Sequence, residues 1–356
     1  MSETGPDAPS AGDAAAGRIR RELAAAAGTA RSPRVGEDAG PPERCETVYR
    51  PGGPLDVHRT LSPLHRGDSN PCFRIDRAAG DVWLAMRTTR GPATLVVRPV
   101  REGARAVAFG PGAEAAVESV PELLGRGDDW GGLHRLLQRP GTPEWLRATA
   151  RGHPGLRLCR TGTVLDQLAP AILEQRVTGL EAHRAIAALH RQFAQPAPGP
   201  ASIVPRGLLL PLTGPEWLRI PSWRWHRAGA DAARARTVLR AAERAAALER
   251  LARLPRTEGA EARRRLCALP GVGAWTAAET VQRALGDPDA PSFGDYHLPG
   301  MVGWAFTGRE TDDEGMRELL AAWPGHRQRI VRLVLLSGRL RPRRGPRLAV
   351  EDHRDR

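Results

Sequence analysis

The stretch from Leu269 to Leu298 constrains this chain more than any other. It reads L-P-G-V-G-A-W-T-A-A, continues as a helix-like run, and ends in D-A-P-S-F-G-D-Y-H-L. Pro270, Gly271 and Gly273 stand between two runs of helical character, so the chain must reverse sharply and start a new helix at once. Glycine permits positive φ and lets bare backbone approach a ligand. The free N–H groups that open the second helix, around Gly273 to Thr276, favour an anion such as a phosphate. Carbonyls in such a turn also suit a monovalent cation lodged between protein and phosphate. A plain connection between two helices uses the same residue types. The flanking L-P-G-V-G, the excess of basic residues and the downstream acid Asp295 tip the reading towards a grip on a polyanion.

Bulk properties point the same way. The chain has 356 residues and a net charge of +13, which favours a polyanionic partner. Every basic side chain other than histidine is arginine; there is no lysine. A GC-rich coding bias accounts for that, in line with the abundant Ala, Gly and Pro. The chemical consequence stands whatever the cause: no lysine is present to form a Schiff base. Cys45, Cys72, Cys159 and Cys267 are far apart and make no C-x-x-C pair. A disulfide framework, a cysteine-rich zinc site and an iron–sulfur cluster are therefore not expected. No signal-peptide pattern and no long apolar run occurs, so a cytoplasmic location is expected, with no membrane span.

Texture divides the chain. Residues 1–45 are rich in Ala, Gly, Pro and charge and read as a disordered tail, with a short helix conceivable over 18–27. Residues 46–145 carry strand signals, strongest at 81–87 and 93–100 around the turn-like T-R-G-P, and predict a small antiparallel sheet with helices at 112–125 and 142–151. From 146 to 340 the pattern is helical: the run from Leu165 to Leu173, then 180–194, 231–254, 261–268, 274–285, 297–306, 314–322 and 326–338. A Pro-rich linker is expected at 196–206. Residues 341–356 read as a loose basic tail.

On these residues the chain resembles the helix–hairpin–helix DNA glycosylases. Within them, L-P-G-V-G-A-W-T-A is most similar to the bacterial 3-methyladenine DNA glycosylase II branch, whose hairpin has the pattern P-G-[IV]-G-x-W-T-A with Asp-Tyr at the catalytic position. The upstream A-I-L-E-Q-R-V-T-G at 171–179 is similar to the stretch that carries that family's minor-groove wedge. The resemblance implies an α+β fold: an N-terminal antiparallel sheet domain, then a mainly helical glycosylase domain of two helical subdomains. It also implies a monomeric enzyme of base excision repair that binds damaged double-stranded DNA, flips an alkylated purine of the 3-methyladenine type and hydrolyses its glycosidic bond to leave an abasic site. A DNA-binding protein without catalysis, or a glycosylase for oxidised or deaminated bases, are the rival readings.

Asp295 is the expected catalytic carboxylate. Breaking an N-glycosidic bond builds positive charge on the sugar, which a fixed carboxylate stabilises; it also serves to orient or deprotonate water. An Asp at a helix start is equally a cap, and both roles are compatible. Trp275 stands where bifunctional relatives carry the lysine nucleophile, which points to water as nucleophile and offers an indole face to a cationic base. Glu279 replaces a second aromatic, so it is the other expected wall of the base pocket. Gly271, Val272, Gly273, Thr276 and His297 are the expected DNA contacts, with Gln175 and Arg176 at the wedge. The backbone carbonyls of Cys267, Leu269 and Val272 are the expected donors to a monovalent cation; no other cofactor is implied. Arg332, with His326 and Arg327, stands out in an otherwise apolar late helix where that branch has aromatic residues.

Overall fold

The strands at 81–88 and 91–100 are dense in Val, Leu, Thr and Trp, and they form the centre of an antiparallel sheet. The structure, a computed structural model, describes residues 44–339. Its sheet comprises β1 (Arg44–Tyr49), β2 (Phe73–Asp76), β3 (Asp81–Thr88), β4 (Gly91–Val100) and β5 (Gly103–Phe109) in the spatial order β1-β5-β4-β3-β2, all neighbours antiparallel. The β4–β5 hairpin needs Gly103: its φ is +147°, and a Cβ there would stand 2.0 Å from the carbonyl oxygen of Tyr49. β1 and β5 were not anticipated. Their alternation is carried by Cys, Thr, Ala and Arg rather than by large apolar residues, and the pairing of β1 with β5 spans most of the domain.

Both faces of the central strands are covered. On one, α1 (Ala113–Leu123) packs Ala116, Val120 and Leu123 against Val82, Leu95 and Val97. On the other, Trp83, Ala85 and Phe109 meet Leu208 and Leu210. The Pro-rich stretch at 196–206, expected as a linker, is therefore the start of a strap across the sheet. The Pro198 carbonyl accepts from Thr94 Oγ1 at 2.5 Å, and the Leu210 amide donates to the Gln195 carbonyl at 2.9 Å.

The helices that follow are α2 (Gly131–Leu137), α3 (Glu144–Gly152), α4 (Leu165–Leu173), α5 (Gly179–Phe193), α6 (Ser222–Ala228), α7 (Ala232–Glu243), α8 (Gly259–Cys267), α9 (Ala274–Ala284), α10 (Leu298–Thr307), α11 (Asp313–Ala321) and α12 (Arg327–Leu336), with short helical turns between some of them. The single helix expected over 231–254 is broken: Arg244, with φ −103° and ψ 12°, leaves helical geometry, and the remainder continues as a separate short turn and a 3₁₀ segment. Two helical cores result. One joins α4, α7, α8 and α9 around stacked Trp217 and Trp225, whose ring centroids lie 5.5 Å apart. Trp223, two residues before Trp225, is by contrast exposed. The second core joins Trp130, Leu133, Leu137 and Leu146 to Leu298, Val302 and Val334. It runs across the boundary drawn at 145/146, so α2 and α3 pack with the last helices of the chain. The tail readings at 1–45 and 341–356, and the short helix at 18–27, lie outside the described residues, apart from Arg44 and Cys45, which begin β1. No described helix is long and apolar enough to cross a membrane.

One buried ion pair ties α12 to the segment before α2. Arg329 Nε donates to Asp128 Oδ1 at 3.1 Å, and Asp128 Oδ2 accepts from Trp130 Nε1 and the Leu158 amide, each at 2.7 Å. With Arg329 4% and Asp128 6% exposed, removal of one partner strands the other charge. Asp128→Ala is expected to cost about 3–5 kcal/mol, measurable by denaturant unfolding; a loss within error of zero contradicts this.

Candidate active site at the hairpin

The hairpin joins α8 to α9, and its conformation is dictated by Gly271. That residue has φ +95°, and a Cβ would lie 2.2 Å from Thr237 Oγ1 on α7. Val272 turns its side chain into the helical core at 6% exposure, and its amide donates to the Leu269 carbonyl at 2.9 Å, closing the turn. Gly273 is extended (φ −97°, ψ −178°) and caps α9, with no atom within 4 Å of where a Cβ would be. The exposed backbone at Gly273 and Ala274 thus begins an eleven-residue helix with its first amides unpaired by side chains. Thr276 lies behind that surface: the residue is buried at 1% exposure and its hydroxyl accepts from Gln175.

Gln175 is a brace. Its Nε2 donates to the Gly271 carbonyl at 2.9 Å and to Thr276 Oγ1 at 2.8 Å, fixing the hairpin from the end of α4. Arg176, next in sequence, is exposed and is the only non-glycine residue of positive φ (55°) among those described. An arginine pays strain to sit there. The turn is anchored by Glu174, which pairs with Arg66 and lies 3.5 Å from His183 Nε2. Burial would raise the Glu174 carboxyl, but Arg66 and His183 outweigh it and hold it down at about 2.

Asp295 sits where hairpin helix and α10 meet. Its Oδ2 accepts from the indole Nε1 of Trp275 at 3.1 Å; its Oδ1 accepts from the amides of His297 at 2.8 Å and Leu298 at 2.9 Å. The carboxylate therefore caps α10 and is clamped to α9 at the same time. Its loop is held from both sides. The Gly294 amide donates to the carboxylate of Asp313, at 2.9 Å to each oxygen, and Gln282 Nε2 donates to the Ala290 carbonyl and Ser292 Oγ at 2.7 and 2.8 Å. Trp275 is half-buried, with its N–H committed to Asp295. Tyr296 and His297 project outward, and Tyr296 is 84% exposed.

A cavity of about 250 Å³ opens beside Asp295, of nucleobase rather than drug size. Glu279, Arg283, Asp295, Gln328 and Arg332 line it, with Cys159. Trp275 does not line it. Glu279 does, but its carboxylate pairs with Arg283 NH1 at 2.8 Å and accepts from Ser292 Oγ. Burial pushes the Cys159 thiol up. Burial is also the main cause that lowers the Arg332 guanidinium, with repulsion by Arg283 in the same direction. Gln328, Arg283 and Ser292 carried no function in the sequence reading. The one visible signal was a charged side chain, Arg332, in an apolar helix. Among the described residues, no cluster of three or more His, Cys, Asp or Glu side chains is arranged to hold a metal ion.

Comparison with solved structures places this architecture. A 3-methyladenine DNA glycosylase from Archaeoglobus fulgidus matches with a TM-score of 0.63 at 19% identity, covering 83% of this chain and 98% of that one. The apo form of an 8-oxoguanine glycosylase/lyase from Clostridium acetobutylicum matches with a TM-score of 0.61 at 12% identity, covering 85% and 100%. The latter enzyme in complex with double-stranded DNA containing cytosine opposite 8-oxoG matches with a TM-score of 0.57 at 13% identity, covering 83% and 97%. The chain has the helix–hairpin–helix DNA glycosylase fold. No protein-family model and no curated protein matches the sequence. The matched enzymes differ in the base that they are named for, so the shared fold assigns no substrate.

Because Gly271 combines a positive φ with a contact that excludes a Cβ, Gly271→Ala is expected to cost more than about 1 kcal/mol. The loss should register as a lower melting temperature. An unchanged melting temperature contradicts the assigned turn.

Proposed function

We propose that the protein is a DNA glycosylase of base excision repair that binds duplex DNA, turns a damaged base into the cavity beside Asp295, and hydrolyses its N-glycosidic bond with water. The observation that carries this reading is the carboxylate of Asp295, fixed between the indole of Trp275 and the opening amides of α10, on the wall of a base-sized cavity.

The hairpin grips the DNA. The amides at exposed Gly273 and Ala274 face a backbone phosphate, and exposed His297 contacts a second one. The carbonyls of Cys267, Leu269 and Val272 would hold a monovalent cation, which supplies positive charge beside the phosphate. Arg176 fills the gap that the flipped base leaves in the stack, and the strain at its backbone fits a side chain held ready for that purpose. As the bond from C1′ to the base nitrogen breaks, positive charge develops on the sugar, and Asp295 stabilises it. Water adds to C1′ and gives up a proton, the base leaves with the bond's electron pair and takes up a proton, and an abasic site remains. Trp275 stands where a lysine nucleophile would be needed, and the sequence has no lysine, which supports hydrolysis without a lyase step. A monomer acting on chromosomal DNA in the cytoplasm fits this chemistry.

For the base, resemblance favours an alkylated purine of the 3-methyladenine type, although Trp275, the aromatic expected to support it, lies outside the cavity wall and holds Asp295 instead. A neutral oxidised or deaminated base is the second reading. One observation favours it: the carboxylate that would attract a cationic base, Glu279, is already paired with Arg283.

Asp295→Asn separates chemistry from folding, because asparagine remains a good cap for α10. It is expected to slow base release by about a hundredfold or more while affinity for duplex DNA stays within error of wild type, measured by single-turnover base release and by equilibrium binding. Base release at the wild-type rate contradicts the role given to Asp295.

A further inference from the structure

One short segment of the sheet domain reaches both the cavity beside Asp295 and the turn that carries Arg176. It runs from Arg59 to Gly67, across the end of the short helix at 57–61 and ahead of β2. At the cavity, the Pro63 carbonyl accepts from Arg283 Nε at 2.7 Å, and the Arg59 carbonyl and Ser62 Oγ accept from Arg332 Nη2 at 2.8 and 3.0 Å. Pro63, Arg283 and Arg332 all line that cavity. Three residues after Pro63, Arg66 is 8% exposed and pairs with Glu174. Gly67, at φ +70°, lies so close to His183 that a Cβ would stand 2.6 Å from its Nδ1, and His183 Nε2 is 3.5 Å from the other Glu174 oxygen. Asn70 stiffens the segment: its Nδ2 donates to the Leu64 carbonyl and its Oδ1 accepts from the Cys72 amide, each at 3.0 Å.

A positive φ at an arginine costs free energy and persists only where neighbouring contacts over-determine the turn. Restraints from three sides do so here. Gln175 is bonded to the hairpin, Thr178 and Glu181 form a reciprocal cap at the start of α5, and Glu174 is held by Arg66. The first two act within the helical domain; the third comes from the segment that also supports the cavity. A flipped nucleotide needs both parts at once, a cavity that receives it and a side chain that fills the gap it leaves. Resting on the glycosylase reading, in which Arg176 is that side chain, we infer that Arg66 is a positioning residue for lesion binding. Through Glu174 it holds Arg176 in place relative to the cavity, and this is what the sheet domain contributes to the recognition of damage.

The test does not depend on which base is preferred. Equilibrium affinity is measured for an undamaged duplex and for the same duplex with one tetrahydrofuran abasic analogue, whose empty place in the stack must still be filled. The proteins are the wild type, Arg66→Met, the doubly neutral Arg66→Met/Glu174→Gln, Arg176→Ala and Arg66→Met/Arg176→Ala. Methionine keeps much of the buried stem, and the doubly neutral variant leaves no stranded charge. The ratio of the two affinities within one preparation does not depend on the folded fraction. The wild type is expected to prefer the abasic duplex by about tenfold or more. Arg66→Met and the doubly neutral variant are each expected to lose about fivefold or more of that preference, with affinity for the undamaged duplex held within about twofold. Because Arg66 acts through Arg176, Arg66→Met is expected to add no further loss once Arg176 is alanine. A preference retained by either Arg66 variant, or losses that multiply in Arg66→Met/Arg176→Ala, overturns the inference and leaves the glycosylase reading intact. A wild type without preference for the abasic duplex overturns the inference as well, and the glycosylase reading falls with it where no base is released from lesion-bearing duplexes either.

Discussion

The clamp on Asp295 is the interaction on which the rest of the site depends. Three N–H donors from two helices converge on one carboxylate: the indole of Trp275 from the hairpin helix, and two amides that open α10. The hairpin that would hold the phosphate backbone and the acid that would meet the sugar are thereby locked in one geometry. A displacement of either helix would misplace the charge relative to the bond it must assist, and small misplacements are costly in catalysis.

The same economy appears around the hairpin itself. Gly271 gives the turn its positive φ and its contact with Thr237, while Gln175 holds the carbonyl of that same glycine. Gln175 belongs to the turn that ends in strained Arg176, and Glu174 ties that turn to Arg66 in the segment between the short helix at 57–61 and β2. Sheet domain, the turn that ends α4 and the hairpin thus form a chain of direct contacts. The buried Arg329–Asp128 pair does for the second helical core what Gln175 does for the first: it fixes α12, and with it the cavity wall formed by Gln328 and Arg332.

Much of this was legible in the sequence because it rests on local rules. The hairpin followed from Pro270, Gly271 and Gly273, and most helix ends fell within two residues of their expected positions. The central strands announced themselves through β-branched and aromatic density. What the sequence concealed depends on partners far away in the chain. β5 is built of alanines whose alternation has meaning only once β1 and β4 flank it. The Pro-rich strap at 196–206 looked like a linker because its backbone partners lie on the sheet. That Gln175 braces the hairpin was hidden because nothing local says that its amide reaches Gly271. The pairing of Glu279 with Arg283, four residues on, was readable as a helix-surface ion pair. That Ser292 completes it needed the folded chain.

The central claim is that this fold hydrolyses a glycosidic bond with water and without a covalent enzyme–DNA intermediate. The most direct measurement follows one lesion-bearing duplex through a reaction in the presence of borohydride, with free base and strand length analysed together. The account predicts released base, an intact strand that breaks only when the abasic site is cleaved with alkali, and no protein trapped on DNA. A borohydride-trapped protein–DNA adduct, or strand scission at the pace of base release, would contradict it.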